Sequence, residues 1–227
     1  MSEADLNKKF AVNIYKPEGT PTSITVFLPG TMLNLEEYSS TYDVLTEQNQ
    51  VVIGFRKLNP FTQKHDRMAE KVAAVVKDFR AIEGNSSLPE KYNIVGHSLG
   101  GKLALMVAAK FDIDNVNKII ALDPVDDKPR ELTTPKEEDR TNLGDSQAQE
   151  IHLFQSEKGG DKVLFIGPAL CPPDRNASVI QEMYPDQITS FQIDEGAGHM
   201  SYKDTEKDDA SVLARTSVQN KIREVIS

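Results

Sequence analysis

The chain has 227 residues, 38% of them hydrophobic and 27% charged, with a formal net charge of −9. That length can bury a substantial core, and the composition is that of a folded globular chain rather than a disordered one. The acidic balance repels phosphate backbones and argues against nucleic acid as a partner. It also argues against broad attraction to anionic membranes, leaving only local peripheral contact open.

The stretch Met1 to Phe10 is polar and charged. It lacks the apolar run of a secretory leader, and no segment reaches membrane-spanning length, so the expectation is a soluble intracellular protein. Phe10–Tyr15 and Ser23–Leu28 are rich in β-branched and aromatic residues and predict strands, with Pro17, Gly19 and Pro21 marking the turn between them. Leu35–Gln48 predicts a helix. Val51–Phe55 predicts a short strand buried on both faces. Met68, Val72, Val75, Val76 and Phe79 recur at helical spacing, which predicts a helix over Asp66–Ile82 with Asp66 as its N-cap. Asn93–Gly96 predicts another buried strand, Leu99–Lys110 an apolar, alanine-rich helix, and Lys118–Leu122 a further strand.

From about residue 127 to 150 the chain is polar, charged and aperiodic, which predicts an inserted loop or small lid, or simply a solvated excursion. Strand signal returns at Ile151–Gln155 and Val163–Ile166, on either side of a Gly159-Gly160 turn. Cys171, the only cysteine, cannot form an intramolecular disulfide; it reads as a small apolar residue. Ala177–Met183 predicts a short helix and Ser190–Ile193 the last strand. Asp208–Val225 predicts a closing helix with Val212, Leu213, Val218, Ile222 and Ile226 facing inward. The alternation predicts an α/β protein with a mostly parallel sheet covered on both faces. No repeat or linker divides it, so 1–227 reads as one domain.

Gly96-His97-Ser98-Leu99-Gly100-Gly101 follows a predicted strand and opens a predicted helix. A serine between two glycines in that setting is the nucleophile elbow of the α/β-hydrolase fold. The sharp turn lifts the Ser98 hydroxyl clear of the sheet, and side chains at 96 and 100 would collide with neighbouring backbone. The helix N-terminus presents free N–H groups to a developing oxyanion. Serine needs a base. Chain order in this fold runs Ser, acid, His, which excludes His65 and His97 as the base. His152 opens a predicted strand and reads as structural. His199 lies in a glycine-rich loop just after the last strand, where an imidazole can reach back over the sheet edge. The acid belongs at the end of a strand after Ser98. Asp123, before Pro124, is the first choice; Asp174, after Pro172-Pro173, is the alternative. The backbone N–H groups of Leu99 and, from the Pro29-Gly30-Thr31 turn, of Thr31 are the candidate oxyanion donors. No His/Cys cluster has zinc spacing, and this chemistry needs no cofactor.

Four segments carry a family resemblance: Pro29-Gly30-Thr31 followed by Tyr38-Ser39; Gly96 to Lys102; Ala121-Leu122-Asp123-Pro124-Val125-Asp126; and Gly196-Ala197-Gly198-His199-Met200. In that order they resemble the chlorophyllases and, more distantly, the cutinase and platelet-activating-factor acetylhydrolase branch of the α/β hydrolases. Leu99 and Pro29 depart from the Arg and His usual in land-plant chlorophyllases. The resemblance implies Ser98, Asp123 and His199 as a triad and hydrolysis of the phytyl ester of chlorophyll, with a chloroplast or other photosynthetic compartment as the setting. The alternatives are a general esterase or lipase without pigment preference, or a catalytically silent binding protein on the same fold. In either enzymatic case the partner is an apolar, lipid-like ester.

Overall fold

The computed structural model describes residues 2–59, 63–125, 141–158 and 176–226. Among the described residues, seven strands form one sheet in the order β1-β3-β2-β4-β5-β6-β7. They are β1 (Val12–Tyr15), β2 (Ser23–Leu28), β3 (Gln50–Phe55), β4 (Tyr92–His97), β5 (Val116–Leu122), β6 (Glu150–Ser156) and β7 (Ser190–Asp194). Only β1, at one edge, runs antiparallel to its neighbour; every pairing from β3 to β7 is parallel. The predicted strand at Val163–Ile166, the Gly159-Gly160 turn and Cys171 lie outside the described residues.

The inner strands are buried because both faces are covered, and every residue of β3 and β4 is buried. In β4, Ile94 packs into one core cluster while its neighbour Val95 packs into the other; Ile119 and Ile120 of β5 divide in the same way. The first face is covered by helices α1 (Glu3–Phe10), α3 (His65–Arg80), α4 (Leu99–Met106) and α5 (Asn176–Met183). The second is covered by α2 (Ser39–Glu47) and α6 (Asp209–Val225). Each fully buried Ile, Phe or Leu in these layers contributes roughly 1.5–3 kcal/mol of transfer free energy. No helix among the described residues is long and apolar enough to cross a membrane.

Several elements differ from expectation. The chain starts with α1, and Phe10 ends that helix rather than opening a strand. Ser2 caps it, with reciprocal Ser2–Asp5 bonds, and Leu6 and Phe10, four residues apart, are buried. Ala11, at φ 58°, turns the chain out of the helix into β1. The helix expected over Leu35–Gln48 is a 3₁₀ turn, Leu35–Tyr38, running into α2. In α3, Lys64 occupies the N-cap and Asp66 lies in the first turn, where the helix dipole still favours an acid. After Met106, helix α4 widens into a π turn over Val107–Phe111. The expected insert is described only from Thr141 onward, and there Leu143 is fully buried rather than solvated.

The closing helix corrects its expected inward face. Val212 and Leu213 are 45% and 66% exposed. The buried positions are Ser211, Ala214, Arg215, Val218, Ile222 and Val225, a regular helical stripe. Arg215 takes an inward place because its guanidinium donates to the carbonyls of Ser201 and Lys203, at 3.1 and 2.7 Å. Hydropathy alone would place it outside.

Candidate active site

Ser98 stands between the end of β4 and the start of α4 with φ 55° and ψ −118°, a conformation uncommon outside glycine. The strand ends hold it there. Its N–H donates to the Leu122 carbonyl at 2.9 Å, and its own carbonyl accepts from Val125 at 3.2 Å and Lys102 at 3.1 Å. The expected role of the flanking glycines follows from the packing: a Cβ at Gly96 would overlap the Gly100 carbonyl, and one at Gly100 would overlap the Leu28 carbonyl. The turn can close only because neither side chain exists.

Asp123 follows β5, the neighbour of β4, and also has positive φ, 45°. Its N–H donates to the Phe154 carbonyl at 2.7 Å. One carboxylate oxygen accepts from the Ser156 N–H at 3.1 Å; the other accepts from the Ser156 hydroxyl at 2.6 Å and lies 2.6 Å from His199 Nδ1. Burial pushes this carboxyl's pKa up. The hydrogen bond and charge of His199 and the two bonds from Ser156 outweigh it and hold the pKa below the ordinary value. An ionised carboxylate only accepts, so His199 Nδ1 carries a proton. That leaves the Nε2 lone pair facing Ser98 Oγ, 2.9 Å away.

His199 opens a 3₁₀ turn, His199–Tyr202, five residues beyond the end of β7. Three elements anchor that turn. The Tyr202 hydroxyl donates to Asp194 at the tip of β7, 2.8 Å away. Arg215 holds its carbonyls from α6. Lys203 pairs with Glu37 at 3.0 Å, and the Ser39 hydroxyl bonds Asp204 at 2.9 Å, joining the turn to the segment that opens α2.

The Pro29-Gly30-Thr31 turn passes directly beside the serine: a Cβ at Gly30 would lie 3.1 Å from His97 Nδ1 and 3.4 Å from Ser98 Cβ. Thr31 forms a parallel bridge with Leu58, in which the Met32 N–H donates to the Leu58 carbonyl at 2.9 Å. The Thr31 amide therefore faces away from that bridge. Leu99 is the first residue of α4, so its N–H has no partner within the helix.

The structure thus brings Ser98, His199 and Asp123 into one hydrogen-bonded line, with the Gly30 turn that carries Thr31 beside the serine and Leu99 next to it at the start of α4. The alternative acid, Asp174, lies outside the described residues. His65 and His152 stand elsewhere; His152 bonds Ser190 and Glu150, at 2.7 and 3.0 Å. Three residues of the site were not anticipated: Ser156, Tyr38 and His97. His97 is fully buried beside the line, with Nδ1 at 2.7 Å from the Tyr38 hydroxyl and Nε2 at 2.8 Å from the His199 carbonyl. Burial and the neighbouring His199 push its pKa from 6.5 down to about 3, so it is neutral. Chain order keeps His97 from the base position but says nothing of a supporting role. Among the described residues, no three His, Cys, Asp or Glu side chains form a group that could hold a metal ion.

The family model for the alpha/beta hydrolase fold matches residues 56–163. No curated protein matches the chain significantly. Among solved structures, a thermophilic esterase from the planctomycete Thermogutta terrifontis is similar at a TM-score of 0.66 and 17% identity, over 95% of this chain and 87% of that one. Dienelactone hydrolase from Anabaena variabilis is similar at 0.62 and 16%, over 94% and 90%. A bifunctional GH43-CE protein from Bacteroides eggerthii is similar at 0.62 and 13% over 94% of this chain, which spans only 36% of that longer protein. The fold is that of the α/β hydrolases.

Proposed function

We propose that this α/β-hydrolase-fold protein is a serine carboxylic ester hydrolase that works through an acyl-enzyme. The observation that carries the reading is the unbroken line from Asp123 through His199 to Ser98, with bonds of 2.6 and 2.9 Å. In the proposed reaction Ser98 Oγ attacks the ester carbonyl carbon while His199 Nε2 takes the hydroxyl proton. Asp123 stabilises the imidazolium and fixes its tautomer. The amides of Leu99 and Thr31 receive the oxyanion. Collapse of the tetrahedral species breaks the bond to the alcohol, which leaves with the proton from His199. Water, deprotonated by the same imidazole, then releases the acid and restores Ser98.

For the substrate we propose a large apolar ester, with the phytyl ester of chlorophyll as the specific candidate. This finer reading is supported by the likeness of four sequence segments to chlorophyllases. The esterase named among the similar structures supports ester chemistry in general. The test compares chlorophyllide release and p-nitrophenyl ester hydrolysis by the wild type and Ser98→Ala. Both activities should fall in Ser98→Ala, by on the order of 10⁴- to 10⁶-fold. Cleavage of p-nitrophenyl esters without any chlorophyllide release would end the pigment reading and leave the esterase. An unchanged rate in Ser98→Ala would end both.

A further inference from the structure

We infer that His97 is a positioning residue: its ring ties the turn carrying Thr31 to the loop carrying His199, through one hydrogen-bonded line that runs behind Ser98. The inference deepens the ester-hydrolase reading and rests on it.

The direction of every bond in the line follows from chemistry. The His199 carbonyl can only accept, so His97 Nε2, at 2.8 Å, carries the ring's proton. The ring lies in the core against Tyr38, Tyr202 and His199, with centroids 5.7, 5.6 and 4.8 Å away. A neutral imidazole there has one bare nitrogen, Nδ1, and the Tyr38 hydroxyl at 2.7 Å donates to it. The Tyr38 oxygen then accepts from the Gly30 N–H at 3.2 Å. The order is Gly30 N–H to Tyr38, Tyr38 O–H to His97, and His97 N–H to His199, each group doing one task.

Both ends of this line matter to the site. The Gly30 N–H is held by Tyr38, and the Gly30 carbonyl accepts from the Leu33 N–H at 3.1 Å. The two peptide planes flanking Gly30 are thereby fixed, and the second contains the Thr31 N–H. At the other end, the bond to the His199 carbonyl fixes the backbone from which the base projects. His97 is also the residue immediately before Ser98. One side chain therefore sets the donor turn and the base relative to the serine between them. An apolar ring would fill the same volume without desolvating two nitrogens, so packing alone does not call for histidine here.

The test uses the whole protein and p-nitrophenyl butyrate. Labelling by a fluorophosphonate first examines the underlying reading: a folded wild type that takes no label and cleaves no ester ends that reading, and this inference with it. With labelling established, His97→Gln, His97→Leu and Tyr38→Phe are compared by kcat, KM and melting temperature. Glutamine keeps an N–H where Nε2 stands and so keeps the tie to His199; leucine keeps only volume. We expect KM to stay within about threefold, His97→Gln to lose about tenfold in kcat and His97→Leu about 100-fold, as for a slightly misplaced base. Tyr38→Phe should lose about tenfold, because the donor turn is freed. Leucine matching or exceeding glutamine would reduce His97 to packing and overturn the inference. If His97→Leu does not fold, Tyr38→Phe decides: a loss in kcat at unchanged KM in the folded variant supports the line, and a wild-type kcat refutes it.

Discussion

Two oxygens of Asp123 receive three hydrogen bonds, and each bond has a separate consequence. The two from Ser156 orient the carboxylate; the one from His199 selects which imidazole nitrogen is bare. Asp123→Asn would turn an amide N–H toward His199 Nδ1 and force the proton onto Nε2, where it blocks acceptance from Ser98. The expected result is a loss of kcat of about 10⁴-fold with the fold intact, read by steady-state kinetics beside circular dichroism. Ser156→Ala removes one of the three bonds, so the Asp123 pKa should rise toward its ordinary value. A carboxyl with a depressed folded pKa stabilises the protein above its unfolded pKa, and that stabilisation is lost as pH falls through the folded pKa. Acid unfolding of Ser156→Ala should therefore begin at higher pH than in the wild type, which a pH series of melting curves measures. Gly100→Ala has no such subtlety. A Cβ there meets backbone on Leu28 and Pro29, neither of which can yield alone. We expect insoluble protein or a stability loss of at least about 2–3 kcal/mol.

At the scale of the element, α6 shows how polarity and placement part company. Arg215 faces inward to satisfy carbonyls of the His199 turn, while Val212 and Leu213 face out. Arg215→Met should cost about 2–3 kcal/mol in urea unfolding, because two buried carbonyls lose their donor. Leu213→Gln should change stability by less than about 0.5 kcal/mol. The inner strands were legible in the sequence because burial on both faces favours short apolar runs: Val51–Phe55 is one, and Asn93–Gly96 carries the pair Ile94-Val95 just before the glycine turn. The helix α1 was not, because only Leu6 and Phe10 of its eight residues are buried and its capping pair, Ser2 and Asp5, reads equally well as solvated surface. Ser98 was legible because its turn needs glycine on both sides for a steric reason, and His199 because chain order leaves it in the glycine-rich loop after the last strand. Asp123 was legible only as one of two choices, since Asp174 also follows a predicted strand. Tyr38 and His97 were hidden for a different reason: their partners lie 59 and 102 residues away, and no local pattern encodes such a pairing.

Across the whole molecule, buried histidines add to the response to acid. Three of the four are held neutral: His97 with a pKa of about 3, His65 of about 4, and His152 below its ordinary value, in each case with burial as the largest cause. The unfolded chain binds protons at these side chains below pH 6.5, while the folded chain resists them. Their contribution to stability is therefore full above pH 6.5 and is lost progressively as the pH falls toward 4 and 3. For His97 alone the slope is about 1.4 kcal/mol per pH unit within that window. Urea midpoints should thus decline from pH 6.5 downward, and His97→Gln should flatten the decline. A flat profile between pH 6.5 and 4 would contradict the burial of these rings. The same geometry explains why the site sits where it does: β4 and β5 are central neighbours, and Ser98 and Asp123 leave them at the same end of the sheet.

The torsion angles at Ser98 carry a cost of about 1–3 kcal/mol for any residue with a side chain. Glycine would sit there at ease. Less the bond forfeited with His199, Ser98→Gly should melt at a higher temperature than its parent, by about 2–4 °C for each kcal/mol relieved, yet have no alcohol with which to attack. Breeding this protein for heat tolerance with no assay of turnover would thus favour discarding the very atom on which the proposed chemistry turns.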